Sequence, residues 1–185
     1  MNITDKQFEE VTAICRKVFA DKLQDYGASW RILRPTSVTD QIFIKAKRIR
    51  TLETKKESRV DEGIFSEFIG IVNYGLIGLI QLELGYADLV DIDAEKAIEM
   101  YDRYLDITIE LMNAKNHDYD EAWRSMRISS YTDLILTKIY RTKEIEGNDG
   151  VTIASEGIDA NYMDMINYAL FGLIKLHFPE EKPNG

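Results

Sequence analysis

The chain contains one motif twice, and this internal repeat constrains the fold more than any other feature. The stretch Lys22–Arg34 returns as Lys115–Arg127, with each matching residue 93 positions further along, so the copies align without a gap. The two tryptophans of the sequence, Trp30 and Trp123, occupy the same place in the two copies. We therefore predict a duplicated protein. Its predicted units are a first helical repeat, a second helical repeat and a polar tail, at residues 1–88, 93–178 and 179–185.

Charge and cysteine content narrow the class of protein. A net charge of −9 argues against a duplex nucleic-acid partner, because phosphate backbones are held by basic surfaces. The single cysteine, Cys15, excludes an intrachain disulfide framework and is typical of a reducing compartment. It falls on the apolar side of a predicted helix and its counterpart is Thr108, which argues against a nucleophile. We expect a cytoplasmic protein with no membrane partner.

Apolar residues recur at helical spacing in both repeats, and no useful stretch alternates as a strand would. Thr4 and Gln7 resemble a capping box at the start of the first helix. Ser37 and Ser130 are the predicted N-caps of the second helix of each repeat, which would begin near residues 38 and 131. The predicted fold class is all-α. Two three-helix units would pack through their second and third helices into one bundle with an approximate internal twofold.

The third helix of each repeat is apolar on nearly all sides, which indicates a central position. In the first repeat the apolar run Phe68–Leu82 is shorter than the roughly 20 residues that span a bilayer, so we expect a buried helix. Gly70, Gly75 and Gly78 each lower helix stability by about 1 kcal/mol relative to Ala. That cost predicts close packing against another helix.

Basic and aromatic residues recur in both repeats and form a set that suits a nucleotide. Lys and Arg neutralise phosphate oxygens, and Trp or Tyr rings stack on a base. The same residue types also suit ordinary structure: tryptophans at a helix end fill cores, and Lys45 and Arg48 on the second helix could pair with Glu on the third. The candidate ligand-binding residues are Lys22, Tyr26, Trp30, Arg34, Lys45, Arg48, Lys115, Tyr119, Trp123, Arg127, Lys138 and Arg141.

Acidic residues of the second and third helices are candidates for a Mg²⁺ site, because carboxylate oxygens are the ligands that this ion prefers. The copies differ here, since the first has Glu67 and Gly70 where the second has Asn161 and Asp164. The chain either assembles one site from two unequal halves, has lost the site, or uses these acids as ion pairs. The candidate metal ligands are Glu53, Glu62, Glu67, Glu146, Glu156 and Asp164.

Three motifs resemble a known bacterial family. They are Lys-x-x-Asp-Tyr-Gly-x-Ser-Trp from Lys22, Asp-Gln-Ile-Phe-Ile-Lys-Ala-Lys-Arg-Ile-Arg from Asp40, and Asn-Tyr at Asn73 on the apolar helix. The family is the nucleotide modification associated domain, and the resemblance covers nearly the whole chain as two tandem copies. Its helical layout is distantly similar to that of MazG-type all-α nucleoside triphosphate pyrophosphohydrolases, whose metal site is built from acids on two facing helices.

The second helix departs from the MazG pattern. Where those enzymes carry many glutamates, this chain carries a basic stretch with only Glu53 at its far end. The difference bears on catalysis more than on nucleotide binding. The basic residues are Lys45, Lys47, Arg48 and Arg50.

The resemblance and the recurring residues together favour a protein that binds a nucleotide or another phosphorylated small molecule. A MazG-like mechanism would be Mg²⁺-dependent, with Glu53, Glu62 and Glu67 holding an ion that activates water against the α-phosphate. The alternative is a non-catalytic helical module that binds a ligand or another protein. The sequence leaves open the catalytic residues, the nucleotide, whether one or both repeats work, and whether the chain forms a homo-oligomer.

Overall fold

The structure, a computed structural model, describes residues 2–55 and 60–179. All regular secondary structure in this part of the chain is helical, which confirms the all-α prediction. A short 3₁₀ helix, Ser29–Ile32 or Ala122–Ser125, follows the first helix of each repeat. The six α-helices are α1 (Ile3–Tyr26), α2 (Pro35–Glu53), α3 (Val60–Leu84), α4 (Ala94–Tyr119), α5 (Ile128–Gly147) and α6 (Ile158–His177).

The first helix begins earlier than the sequence suggested. Asn2, rather than Thr4, is the N-cap of α1, since its side-chain oxygen accepts from the backbone nitrogen of Asp5 at 2.8 Å. The carboxylate of Asp5 accepts in turn from the backbone nitrogen of Asn2 at 3.3 Å. The capping box is therefore Asn2 with Asp5, and the prediction of Thr4 with Gln7 was wrong.

The second helix of each repeat also begins before its predicted N-cap. Helix α2 begins at Pro35, because proline has no backbone donor to lose in the first turn and its φ already suits a helix. Arg34 before it is extended, with φ −65° and ψ 150°, and Arg127 before α5 has almost the same conformation. Ser37 and Ser130 lie inside the first turns, so both predicted N-caps were wrong.

Helices α2, α3, α5 and α6 form the centre of the bundle, with α3 packed against α6 and α2 against α5. A Cβ on Gly75 would lie 2.5 Å from Cγ1 of Ile166, and one on Gly78 would lie 2.8 Å from Cε2 of Tyr162. Only glycine lets the two backbones approach this closely. The predicted close packing of the third helix is confirmed.

Ion pairs between α2 and α5 relate the repeats by an approximate twofold. Arg50 of α2 binds Asp133 of α5 at 2.5 Å, and Lys143 of α5 binds Asp40 of α2 at 3.4 Å. Each residue in the first pair is the repeat counterpart of one in the second. An interface in which the same patch meets its own copy is the geometry of a twofold dimer, here built within one chain.

Helix α3 extends beyond the predicted apolar run. By length and composition alone, residues 61–84 could cross a membrane, with a mean hydropathy of 1.6, and 67% of the most apolar window is buried inside the bundle. The core helix of a bundle has this same composition. The predicted polar tail, residues 179–185, lies outside the described residues except for Pro179.

Candidate functional site

A pocket of about 380 Å³ opens in the first repeat between the end of α1, the 3₁₀ helix, α2 and α3. Its volume lies in the range of small-molecule sites. Five of the predicted residues line it together: Lys22, Tyr26, Trp30, Lys45 and Glu67. The remaining lining is mostly apolar and includes Val18, Phe19, Leu23, Leu33, Ile69 and Ile77.

The 3₁₀ helix that carries Trp30 is held in place by α3. The side-chain amide of Gln81 donates to the carbonyl oxygens of Trp30 at 3.2 Å and of Arg31 at 2.9 Å. The Arg31 guanidinium is 3% exposed and binds Asp91 of the inter-repeat linker at 2.8 Å. The recurring arginine of the motif is therefore structural, because it fastens the linker to the 3₁₀ helix rather than facing the pocket.

The charged edge of the pocket is built around Glu67. Its Oε1 accepts from Arg48 at 2.5 Å, and its Oε2 lies 3.7 Å from the ammonium of Lys45. Within the described residues no salt bridge involves Lys22, an exposed residue of α1 that lines the same pocket. Lys22 therefore leaves one positive charge of the pocket without a carboxylate.

Gly70 lines the pocket in contact with Lys45. A Cβ at this position would lie 2.8 Å from both Cδ and Cε of Lys45. Glycine thus lets the aliphatic part of Lys45 lie directly against α3 at this position. Sequence reasoning named Gly70 for its packing and for its place opposite Asp164, but it did not assign the residue to a ligand site.

Aromatic rings form the rest of the pocket. Trp30 is 8% exposed and packs beside Phe19, with ring centroids 6.1 Å apart. The Lys45 ammonium lies 5.5 Å from the centroid of Tyr74. Burial, and to a smaller extent neighbouring Tyr26, raises the pKa of Tyr74 above its usual value, so its hydroxyl stays protonated near neutral pH and can donate a hydrogen bond. The Asn-Tyr motif contained Tyr74, yet it was absent from the candidate list.

The second repeat has the same frame with a different charge arrangement. Asp164, the counterpart of Gly70, accepts from Lys115 at 2.7 Å and lies 2.8 Å from the ammonium of Lys138. Burial opposes the charge of Lys115, but the hydrogen bond and charge of Asp164 outweigh it and raise the pKa of Lys115. The side chain of Asn161, in the place of Glu67, donates to Gly157 of its own helix. The two predicted lysines therefore already hold an internal anion.

Aromatic packing also differs in the second repeat. Phe171 replaces Ile77 of the first repeat and stacks on Trp123, with centroids 4.5 Å apart and planes at 7°. Trp123 is 5% exposed and Phe8 of α1 packs against its edge. The ring of Trp123 belongs to the hydrophobic core, which is one of the two roles that the sequence allowed for it.

Other predicted ligand-binding residues lie away from the first pocket. Arg34 and Arg127 stand at the N-caps of α2 and α5, and both are exposed. Tyr119 is 72% exposed. Arg141 lines, together with Lys138 and Glu156, an open cleft of about 1020 Å³ beside residues 148–156.

The six predicted metal ligands are not brought together. Thr39 donates to the carboxylate of Glu146 at 3.1 Å, and the matching Thr132 binds Glu53, so both glutamates lie at the α2–α5 interface. Glu62 is exposed in the first turn of α3. Across residues 2–55 and 60–179, no three His, Cys, Asp or Glu side chains form a group that could hold a metal ion.

Comparison with protein families identifies the family of this chain. The model of the nucleotide modification associated domain 1 family matches it twice, over residues 22–82 and 115–176. The chain therefore belongs to this family, and the two matches confirm the tandem duplication. Comparison with the curated proteins and with the solved structures gives no significant match.

Proposed function

We propose that this member of the nucleotide modification associated domain 1 family binds a nucleotide in the pocket of its first repeat. The observation that carries the proposal is that apolar and aromatic walls meet two lysines in one concavity of about 380 Å³. One of these, Lys22, has no salt-bridge partner in the part of the chain described. A base would lie against the rings of Trp30, Tyr26 and Tyr74, and phosphate would lie at the lysine edge.

The shape and charge of the pocket favour a small molecule as partner. The site is concave and mostly apolar, with a few converging polar groups, as in most small-molecule sites. The net charge of −9 disfavours a duplex nucleic-acid backbone. A reducing, cytoplasmic setting suits the buried free thiol of Cys15, since burial raises its pKa to about 12 and keeps it protonated.

A finer proposal, from the distant similarity to MazG-type enzymes, is a Mg²⁺-dependent nucleoside triphosphate pyrophosphohydrolase. Such a site needs several carboxylates around the ion. The first pocket has only Glu67, whose charge is already shared between Arg48 and Lys45. The described residues thus do not fit the ion, and they favour binding without hydrolysis.

A ligand screen tests the binding proposal. Purified protein is heated with nucleoside mono-, di- and triphosphates, and thermal unfolding is recorded for each. We expect at least one nucleotide to raise the unfolding temperature. This rise should be smaller in Lys45→Met and the same as in the wild type in Lys47→Met, because Lys47 lies outside the pocket lining. The proposal fails if no nucleotide shifts the unfolding temperature.

Hydrolysis is measured separately as pyrophosphate release from each triphosphate with Mg²⁺ or Mn²⁺. We expect no release above that of heat-inactivated protein. Turnover that disappears in Glu67→Gln would establish the pyrophosphohydrolase instead.

A further inference from the structure

We propose that the lysine edge of the first pocket, lined by Lys22 and Lys45, is an anion subsite for a single phosphate monoester, so that each chain binds one nucleoside monophosphate. This inference rests on the proposed function and specifies its ligand. It comes from a comparison of the two repeats, which place the same lysines around different contents.

The second repeat shows what the two lysine positions hold. Lys115 and Lys138 are the counterparts of Lys22 and Lys45. Their ammonium groups lie 2.7 and 2.8 Å from the two carboxylate oxygens of Asp164. Two lysines in this frame therefore converge on one anionic group, here a carboxylate.

The first repeat has the lysines without that anion. Gly70 stands where Asp164 stands, and Glu67, one helical turn earlier, reaches Lys45 only at 3.7 Å while binding Arg48 at 2.5 Å. Lys22 lines the pocket from α1 and has no carboxylate of its own among the described residues. An anion from outside would give Lys22 and Lys45 the partner that the Asp164 carboxylate gives their counterparts in the second repeat.

Charge selects the kind of phosphate. Among the described residues that line the pocket, the charged ones are Lys22, Lys45 and Glu67. Arg48, outside this lining, binds Glu67 at 2.5 Å, more closely than Lys45 does at 3.7 Å. The two lysines match a phosphate monoester, which carries a charge of about −1.5 to −2 at neutral pH. A triphosphate brings further negative charge, for which this lining provides no third lysine or arginine. The subsite therefore favours a monophosphate.

The same comparison sets the stoichiometry. In the second repeat Asp164 fills the anion position, and Phe171 covers the face of Trp123 at 4.5 Å. The counterpart of Phe171 is the smaller Ile77, which leaves room beside Trp30 in the first repeat. In the second repeat the position equivalent to the first pocket is filled by the chain's own side chains, so one ligand binds at this position per chain.

Isothermal titration calorimetry tests the subsite in buffer with EDTA, which removes ions that would neutralise a triphosphate. The probes are nucleoside monophosphates, the same bases as nucleosides and as triphosphates, and ribose 5-phosphate as a phosphate without a base. We expect one site per chain. The monophosphate should bind at least about tenfold more tightly than its nucleoside, the loss expected for one missing charge-assisted contact. It should also bind at least about tenfold more tightly than its triphosphate, whose additional negative charge this lining does not neutralise.

Two variants and one matched control locate the anion. Lys22→Met should weaken monophosphate binding about tenfold or more, whereas Lys17→Met, an equal charge change on the same helix outside the pocket lining, should leave it unchanged. The double variant Glu67→Asn with Gly70→Asp copies the second repeat and should abolish binding while circular dichroism shows an intact helical fold. If the double variant unfolds, the exposed Lys22 and Lys17 variants still decide the question.

The outcomes separate this inference from the function it builds on. A triphosphate bound as tightly as the monophosphate, two ligands per chain, or loss of binding in Lys115→Met but not in Lys22→Met would overturn the subsite while nucleotide binding stands. Binding of ribose 5-phosphate as tightly as any monophosphate would keep the anion subsite and reject the nucleoside part. Failure of every nucleotide to bind would reject both proposals.

Discussion

Tyr101 of α4 donates a hydrogen bond of 2.8 Å to Oδ1 of the buried Asn73 on α3. The amide of Asn73 donates in turn to the carbonyl oxygen of Cys15 at 3.1 Å. The second repeat keeps only half of this arrangement. Asn167 donates to the carbonyl oxygen of Thr108 at 3.5 Å, but its Oδ1 is buried without a partner in the described part of the chain.

The missing hydroxyl predicts a stabilising substitution. Phe8 is the counterpart of Tyr101 and is 4% exposed, so Phe8→Tyr should place a donor at Oδ1 of Asn167. We expect the free energy of unfolding to rise by about 1 kcal/mol, the net value of one buried hydrogen bond. Urea denaturation measures it. The reverse change, Tyr101→Phe, should lower the free energy of unfolding by about 1–3 kcal/mol, because it leaves a buried acceptor unpaired. An unaltered or lower stability in Phe8→Tyr would show that the hydroxyl does not reach Asn167.

The glycines of α3 predict a second effect on stability. A methyl group in Gly78→Ala would meet the Tyr162 ring at 2.8 Å. Overpacking of this kind costs about 1–3 kcal/mol, which exceeds the gain in helix propensity of up to about 1 kcal/mol. Gly147→Ala is the matched control, since no atom lies within 4 Å of its Cβ position at the end of α5. Thermal unfolding should show the first variant destabilised and the second equal to or more stable than the wild type.

Periodicity and the repeat were sufficient to predict the helices and the central position of α3, because these predictions depend only on the local pattern of apolar residues. Helix starts were less predictable. Pro35 suits the first turn of α2, which has no side-chain cap. Ser37, two residues later, therefore lies inside the helix. Asn2 caps the N-terminus of α1, so Thr4, the N-cap candidate predicted from the sequence, lies inside the helix.

The site was predictable only in part, for a reason that lies in tertiary geometry. Lys22, Lys45 and Trp30 recur in both repeats, and they do meet in one pocket. Recurrence could not show that Glu53 faces Thr132 across the twofold interface while Glu67 faces the pocket, because the neighbours of each glutamate depend on how the helices pack. The difference between Gly70 and its counterpart Asp164 was visible in the sequence. Its consequence depends on which lysines lie beside each residue in the folded protein.

The glutamates at the twofold interface predict a pH dependence. Burial raises the pKa of Glu53 and of Glu146, and their hydrogen bonds to Thr132 and Thr39 offset this only in part. Because each carboxyl binds its proton more tightly in the folded state, its contribution to stability is present below about pH 4.3 and is lost as pH rises through the higher folded pKa.

The double variant Glu53→Gln with Glu146→Gln tests this sign. Its free energy of unfolding, relative to that of the wild type, should increase as pH rises from about 4.3, the ordinary glutamate value, to neutral, because only the wild type loses stability over this range. Urea denaturation across this range measures the difference. Glu110→Gln, exposed on α4, serves as the control and should give a nearly constant difference. A double variant that lost stability relative to the wild type as pH rises would contradict the expected direction.

The two tryptophans offer a spectroscopic test of which repeat holds the ligand. Trp30 lines the first pocket, whereas Trp123 is stacked on Phe171 in the core of the second repeat. A bound nucleoside monophosphate should therefore change the emission of Trp30 and leave that of Trp123 nearly constant. In Trp123→Phe the ligand-dependent change should remain, and in Trp30→Phe it should disappear, although Phe preserves an aromatic wall. The ligand is titrated in each variant, with N-acetyl-tryptophanamide as a correction for absorbance by the base. A signal that persists in Trp30→Phe and vanishes in Trp123→Phe would move the site to the second repeat, because the emission of a buried indole changes only when its own surroundings change.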